Sequence, residues 1–363
     1  MPGTSARLPD FPWDTIAGYR ATASAVPGGI VDLSIGTPVD PTPEVVQRAL
    51  ADAADAPGYP TVWGTAELRA AIGAYLSRRF DALPLPEEGL LPVIGTKELV
   101  AGMPQQLGLG ADDLVVFPRL AYPTYEVGAL MAHARTQAAD SPSEVEGTPS
   151  LIWVNSPSNP TGRVRSDDEL RAWVEYARSV GAVLASDECY AEFGWDAEPS
   201  SVLRPDICGG SAEGVLALHS MSKRSNMAGY RAGFVAGDPR LILELLAVRK
   251  HLGMMVPQPV QAALIAAMGD RDHVASQRER YLERRAVLKP ALESAGFTID
   301  DSEGSLYLWS TRGEDCFDTM AFLAERGILA APGVFYGEAG RQHVRIALTG
   351  TDERIAAASD RLR

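Results

Sequence analysis

Cysteine is scarce in this chain of 363 residues, with Cys189, Cys208 and Cys316 as its three copies. The number is odd and the three lie far apart, so we expect neither a disulfide framework nor a zinc knuckle, and the pattern fits a reducing cytoplasm. The five histidines form no HExxH motif and no cluster with cysteine. Because the ligand spacing of a metal site is missing, we predict that the protein holds no metal.

An excess of basic charge and long apolar runs are missing as well. The formal net charge is -14, whereas a protein that binds nucleic acid usually carries a basic face. No apolar run reaches the length of a membrane span, and the first residues contain no apolar segment typical of a secretory signal. We therefore expect a cytoplasmic protein with neither nucleic acid nor membrane as a partner.

Short apolar segments alternate with amphipathic helices from Leu90 to Gly237. This alternation is typical of an α/β fold with a mostly parallel sheet and helices on both faces, in which ligands bind outside the carboxyl ends of the strands. The predicted buried strands are Leu91–Ile94, Leu114–Phe117, Leu151–Val154, Val183–Ser186, Val215–His219 and Gly233–Ala236. From Pro239 onward, longer helices and fewer strands indicate a separate α+β unit.

The predicted organisation has three parts. Residues 1–29 are rich in proline and glycine and carry Phe11 and Trp13, so we expect an extended arm whose aromatic side chains cover another surface. Residues 41–240 form the large domain. Residues 30–40 and 241–363 form the small domain.

A lysine follows one of the predicted strands, in the segment 220–231. Lys223 lies among hydroxyl side chains and close to a second cation, Arg231. Such surroundings can lower the pKa of a lysine amine and suit it to Schiff-base chemistry; a solvated loop lysine is the alternative. Ser220 and Lys223 also form the Ser-x-x-Lys motif of serine β-lactamases, but the Ser-Asp-Asn and Lys-Thr-Gly elements of those enzymes do not occur here.

Three further polar motifs follow predicted strands. Asp187, in the segment 186–190, could hold a protonated heteroaromatic nitrogen or simply cap a helix. The segment 155–162 contains two asparagines and two prolines, which favour a stiff turn or an ordinary loop. The segment 93–98 runs from a strand into a helix whose N-terminus suits a phosphate. It is neither a Walker A loop nor a GxGxxG motif, so nucleotide binding is not supported.

These motifs, in this order, resemble those of the class I/II aminotransferases, enzymes of fold type I that use pyridoxal 5′-phosphate (PLP). The resemblance covers nearly the whole chain. It implies PLP as cofactor and ping-pong transfer of an amino group between an amino acid and a 2-oxo acid. It also implies three catalytic residues: Lys223 binds PLP covalently, Asp187 pairs with the pyridine nitrogen, and Tyr122 stacks on the ring.

The same resemblance implies the residues that bind cofactor and substrate. The cofactor-binding residues are Gly95, Thr96 and Lys97 at the helix start, Ser220, Ser222 and Arg231 in the lysine segment, and Asn159 and Tyr190 at the phenolic oxygen. Tyr59 of a neighbouring subunit contacts the phosphate, which implies a homodimer. Arg345 binds the substrate α-carboxylate, with Gly36 and Asn159 beside it.

One branch of the family is closer still. The segments 11–14, 94–99, 155–163 and 222–226 are similar to those of succinyldiaminopimelate aminotransferases in lysine and diaminopimelate biosynthesis. This similarity implies N-succinyl-LL-2,6-diaminopimelate and glutamate as amino donors. A cation would suit the distal carboxylate of the succinyl group, and Lys97, Arg163 and Arg224 are the candidates because they lie in the site motifs.

Other functions on the same fold stay open at this point. They include an aminotransferase of aromatic, alanine or aspartate specificity, a β-lyase and a decarboxylase, since fold and cofactor site do not fix the reaction. Arg345 favours transamination among these. A non-catalytic ligand-sensing domain would need a helix-turn-helix segment, for which the arm before Gly36 is too short.

Overall fold

The computed structural model describes residues 8, 9 and 12–363. Its helices are α1 (Ala17–Ala25), α2 (Glu44–Asp52), α3 (Ala66–Phe80), α4 (Thr96–Gln106), α5 (Thr124–Met131), α6 (Asp167–Val180), α7 (Pro205–Cys208), α8 (Met221–Arg224), α9 (Pro239–Leu252), α10 (Gln258–Gly269), α11 (Asp272–Ser294), α12 (Cys316–Ala324) and α13 (Asp352–Leu362). Its strands are β1 (Val31–Asp32), β2 (Leu90–Val93), β3 (Leu114–Phe117), β4 (Arg135–Ala138), β5 (Leu151–Asn155), β6 (Val183–Asp187), β7 (Val215–Ser220), β8 (Gly233–Gly237), β9 (Thr298–Asp300), β10 (Tyr307–Thr311), β11 (Ile328–Leu329), β12 (Ala331–Pro332) and β13 (His343–Ala347).

A seven-stranded sheet with the order β2-β8-β7-β6-β5-β3-β4 forms the centre of the fold. Strand β8 is antiparallel to β2 and β7, and the other neighbours are parallel. Every residue of β5 and β7 is buried, which fits strands covered by helices on both faces. The predicted α/β fold is confirmed. The prediction missed β4, because this edge strand carries polar, partly exposed residues rather than an apolar run.

The parallel strands end in polar residues at one edge of the sheet. In the strand register Asn155, the last residue of β5, lies opposite Asp187, the last residue of β6. Ser220 ends β7 opposite Gly233 of β8, and Gly233 also lies opposite Val93, the last residue of β2. Four strand ends therefore bring their following loops to the same place.

The C-terminal part of the chain contains a four-stranded antiparallel sheet with the order β12-β13-β10-β9. Its core includes Tyr281 of α11 and Leu308 of β10, both fully buried. Strand β1 pairs in parallel with β11, which attaches the segment after residue 30 to this C-terminal unit. The predicted domain bounds stay a prediction.

The arm is not extended where the structure describes it. Pro12–Ile16 forms a short 3-10 helix that continues into α1, so the prediction of an extended conformation is wrong for residues 12–25. Tertiary packing explains the helix, because Ile16 and Ala23 are fully buried and the ring of Trp13 lies 5.4 Å from that of Phe335. Phe11 lies outside the described residues.

In the described ranges, no helix is long and apolar enough to cross a membrane.

We expect Gly237→Ala to destabilise the central sheet strongly. A Cβ at this position would lie 2.0 Å from the carbonyl oxygen of Val215, and φ is +150°. Because the clashing atom is backbone, the free energy of unfolding should fall by about 3 kcal/mol. Gly296→Ala is the control, since φ is +87° there but no heavy atom lies within 4 Å, and it should cost about 1 kcal/mol. Equal losses in urea unfolding would contradict this packing argument.

Candidate active site

Gly95 and Arg231 form one end of the site, at the start of α4. Gly95 has φ of +89°, and a Cβ there would lie 2.3 Å from Nη2 of Arg231, so only glycine lets the guanidinium lie against the backbone. Arg231 donates to the carbonyl oxygen of Ala228 and forms no ion pair with any carboxylate that the structure describes. Ser220 lies close by on β7. A free guanidinium, a hydroxyl and a helix N-terminus together suit a phosphate group.

Asp187 lies at the other side of the site and is buried. Its Oδ2 accepts a hydrogen bond from the Tyr125 hydroxyl at 2.8 Å, and its Oδ1 accepts one from the Cys189 backbone N–H at 3.1 Å. Burial raises the pKa of Asp187, while the hydrogen bonds from Cys189 and Tyr125 oppose that rise. A buried carboxylate of this kind can pair with a protonated ring nitrogen.

Lys223 follows β7 in the short helix α8, and its amine donates to the carbonyl oxygen of Gly36. Burial lowers the pKa of Lys223, and the positive charges of Arg345 and Arg231 act in the same direction. A lower pKa increases the fraction of neutral amine, which is the form that attacks carbonyl carbon and accepts protons.

Arg345 lies on β13, and its side chain is 3% exposed. Nη1 donates to Oδ1 of Asn159 at 2.8 Å and Nη2 donates to the carbonyl oxygen of Ser34 at 2.7 Å. The guanidinium carbon lies 4.0 Å from the ring centre of Tyr307 and 4.9 Å from that of Tyr336. No carboxylate in the described part of the chain forms an ion pair with Arg345, so this buried cation suits a carboxylate brought by a substrate.

These groups lie around a cavity of about 290 Å³ at the edge of the central sheet. The residues on its wall are Thr37, Thr96, Lys97, Val100, Tyr122, Asn159, Asp187, Cys189, Tyr190, Ser220, Ser222, Lys223, Ala228 and Arg231. Ten of them are among the predicted site residues. Gly95, Gly36 and Arg345 lie directly behind the wall, in contact with Arg231, Lys223 and Asn159 respectively.

Tyr59 stands apart from this cavity. It is 97% exposed, so in a single chain it contributes nothing to the site. The sequence prediction also missed Cys189 and Tyr125, which contact Asp187 directly. The spacing Tyr-x-x-Tyr in residues 122–125, at the start of a helix, was the available signal for Tyr125.

The three cations that we considered as partners for the distal carboxylate of a substrate lie in three different places. Lys97 lies on the cavity wall and pairs with no carboxylate among the described residues. Arg163 lies at a neighbouring cavity and pairs with Glu169. Arg224 is 3% exposed and is held by Glu192 behind the site, so its candidacy is wrong. It lines a separate cavity of about 410 Å³ on that far side.

The cavity's chemistry matches one cofactor. A phosphate site, a buried carboxylate and an amine of lowered pKa are the three contacts that a phosphorylated pyridine aldehyde requires. An aminotransferase class I and II family model matches residues 29–362. The chain belongs to this family. Its cofactor is therefore PLP, and the enzyme is an aminotransferase.

Known aminotransferases resemble the chain over its whole length. A probable aminotransferase of Mycobacterium tuberculosis is 60% identical over 361 residues, covering 99% of this chain and 86% of the relative. The 4-dedimethylamino-4-oxo-anhydrotetracycline transaminase OxyQ of Streptomyces rimosus is 57% identical over 356 residues, covering 98% and 99%. A probable N-succinyldiaminopimelate aminotransferase structure from Thermus thermophilus superposes with a TM-score of 0.88 at 28% identity, covering 97% and 99%.

We expect Asp187→Asn to stabilise the cofactor-free protein at pH 7 and to weaken PLP binding. Since burial raises the pKa of Asp187 above its ordinary 3.8, the folded protein holds this proton more tightly than the unfolded chain. The ionised carboxylate therefore lowers stability at neutral pH, and this cost disappears as the pH falls below about 3.8. Thermal unfolding of both proteins between pH 4 and pH 8 measures the gain. A cofactor-free variant less stable than the parent at pH 7 would contradict the assignment of a buried charge.

Proposed function

We propose that this aminotransferase moves an amino group between N-succinyl-LL-2,6-diaminopimelate and 2-oxoglutarate, within lysine and diaminopimelate biosynthesis. The observation that carries the proposal is a pair of cations without carboxylate partners, Arg345 behind one wall of the cavity and Lys97 on another. The proposed substrate carries a carboxylate beside its reacting amine and another at its distal end. The cytoplasm is the proposed location, in keeping with three free cysteines.

Lys223 is the proposed covalent anchor and the proton carrier. When bound, PLP supplies an electron-accepting ring for the carbon that loses its proton. The Lys223 amine would accept and donate the proton that moves. Asp187 would keep the ring nitrogen protonated, and Tyr122 would stack on the ring face. Arg231 and Ser220 would hold the phosphate.

Arg345 is the proposed clamp for the substrate α-carboxylate. A planar guanidinium binds a carboxylate through two parallel hydrogen bonds and so fixes its orientation. Asn159 accepts from Arg345 at 2.8 Å and also lines the cavity. The asparagine therefore links the substrate clamp to the cofactor, and the clamp selects which bond of the α-carbon breaks.

A second candidate substrate is a cyclic ketone. The Streptomyces relative is named for a 4-oxo-anhydrotetracycline, and its similarity extends over nearly the whole chain. A rigid polycyclic ketone would need apolar walls rather than a second cation at the distal end. The exposed amine of Lys97 on the cavity wall favours the acidic substrate.

Arg345→Lys should lower kcat/KM for amino acids about a hundredfold, because an ammonium cannot form the two parallel bonds. The cofactor should stay bound, because none of the residues proposed to hold PLP is changed. Steady-state kinetics measure kcat/KM, and the visible spectrum shows whether the cofactor is bound. Arg48→Lys, at an exposed ion pair with Glu44, is the matched control. Near-normal turnover in R345K would remove this residue from its proposed role.

The identity of the amino donor can be tested by following one half of the transamination reaction at a time. We expect glutamate and N-succinyl-LL-diaminopimelate, each added without a 2-oxo acid, to convert the bound cofactor, as followed by its visible absorption. The succinylated compound should act at the lower concentration. Conversion by glutamate alone would establish a different specificity, and 4-dedimethylamino-4-oxo-anhydrotetracycline would then be tested as the acceptor.

The substitution Lys97→Met tests whether Lys97 binds the carboxylate at the distal end of that substrate. Because the terminal carboxylate would lose its cation, KM for N-succinyl-LL-diaminopimelate should rise about tenfold. N-acetyl-LL-diaminopimelate lacks this carboxylate and is the matched control, so its KM should stay the same in both proteins. Equal changes for the two compounds would mean that Lys97 does not bind the distal carboxylate.

A homodimer is the proposed assembly, because Tyr59 is fully exposed in one chain and is expected at a neighbouring subunit's phosphate. Sedimentation at assay concentrations should give the mass of two chains, and Tyr59→Phe should weaken PLP binding about tenfold. A fully active monomer would refute this arrangement.

A further inference from the structure

Tyr125 contacts Asp187 from outside the cavity. The phenol is fully buried in the first turn of α5, and its hydroxyl donates to Oδ2 of Asp187 at 2.8 Å. The other carboxylate oxygen accepts from the Cys189 N–H. Asp187 lines the cavity and Tyr125 does not, so the hydroxyl holds the carboxylate from the side opposite to the cofactor.

Aromatic packing fixes the position of that hydroxyl. The ring of Trp153, on β5, stacks on Tyr125 with 4.9 Å between ring centres and 19° between planes. Tyr122 meets Tyr125 edge to face at 5.9 Å and 87°. The same phenol therefore supports both the ring-stacking residue and the carboxylate, and it cannot swing away without moving the core.

The contact has a direct effect on Asp187. A hydroxyl donor stabilises the ionised carboxylate and gives nothing comparable to the protonated acid. It also fixes the rotation of the carboxylate about its Cβ–Cγ bond, a torsion that is otherwise soft. With Oδ2 held by Tyr125, the plane of the carboxylate is set before any cofactor binds.

We propose that Tyr125 is a positioning residue that keeps Asp187 ionised and correctly turned toward the cofactor's ring nitrogen. The proposal rests on the role proposed above for Asp187. Tyr125 does not line the cavity. The effect of its hydroxyl on PLP binding and catalysis therefore passes through the carboxylate, whereas the packing of its ring on Tyr122 is kept in a phenylalanine variant.

A double-mutant cycle of Tyr125→Phe and Asp187→Asn tests this, with the equilibrium dissociation constant of PLP as the readout. In the parent background, Y125F should weaken PLP binding by roughly tenfold to a hundredfold, the loss of one hydrogen bond to a buried charge. In the D187N background, Y125F should change PLP binding less than twofold, because no carboxylate is left to stabilise.

The pH dependence gives a second reading that a loss of packing alone would not produce. Without the hydroxyl, the pKa of Asp187 should rise further above its ordinary value, in the direction that burial already sets. The ratio of PLP dissociation constants, Y125F over parent, should therefore grow as the pH falls from 8 to 6. A ratio independent of pH, with equal weakening in both backgrounds, would overturn the proposal.

Tyr75→Phe is the matched control. Tyr75 is also buried, and its hydroxyl donates to a carboxylate, that of Glu192, at 2.8 Å. It lies outside the PLP cavity, so Y75F should lower the melting temperature while leaving the PLP dissociation constant unchanged. If D187N itself binds PLP normally and turns over normally, the role of Asp187 fails. If D187N is impaired and Y125F is not, only the role of Tyr125 fails.

Discussion

The common direction of β5, β6 and β7 is the constraint on which the site depends. Parallel strands end at one edge of their sheet, so Asn155, Asp187 and Ser220 are neighbours although 65 residues separate the first from the last. Strand β8 runs the other way and begins at that edge, which brings Arg231 to the same place. The C-terminal unit supplies Arg345, which lies directly behind the cavity wall and donates to Asn159.

Burial of charge is the cost of this arrangement. Asp187 and Arg345 are buried and Lys223 is half-buried, and burial disfavours the charged form of each. In the described chain, none of the three forms an ion pair with an oppositely charged side chain. Their hydrogen-bond partners are neutral hydroxyl, amide and carbonyl groups. The site is therefore arranged to gain stability when an anionic cofactor and an anionic substrate bind.

Much of this could be predicted from the sequence because the motifs are local. Apolar runs locate the buried strands, and the polar residues that follow them must meet at one edge. The prediction for the arm was wrong because proline and glycine obscured the short helix α1. This helix is stabilised by packing on α12 and β11, and Ile16, just before it, lies in the core of the C-terminal unit. Strand β4 was missed because an edge strand with exposed polar residues has no apolar signature.

Sequence could not decide which way adjacent cations point. Lys223 and Arg224 are consecutive, yet the first lines the cavity and the second is held by Glu192 behind it. The sequence likewise did not predict that Tyr125 contacts Asp187, since 62 positions separate the two in the chain. Only the folded chain brings the Tyr125 side chain of α5 to Trp153 of β5 and to Asp187 of β6.

The most direct test of the account is the site of covalent attachment. The chain has four lysines, Lys97, Lys223, Lys250 and Lys289, of which two line the cavity. Reducing the PLP-loaded enzyme with borohydride and mapping its peptides by mass spectrometry should place one pyridoxyl phosphate per chain on Lys223. Modification of Lys97 or of a lysine outside the cavity, or of none, would contradict the assignment of the active site.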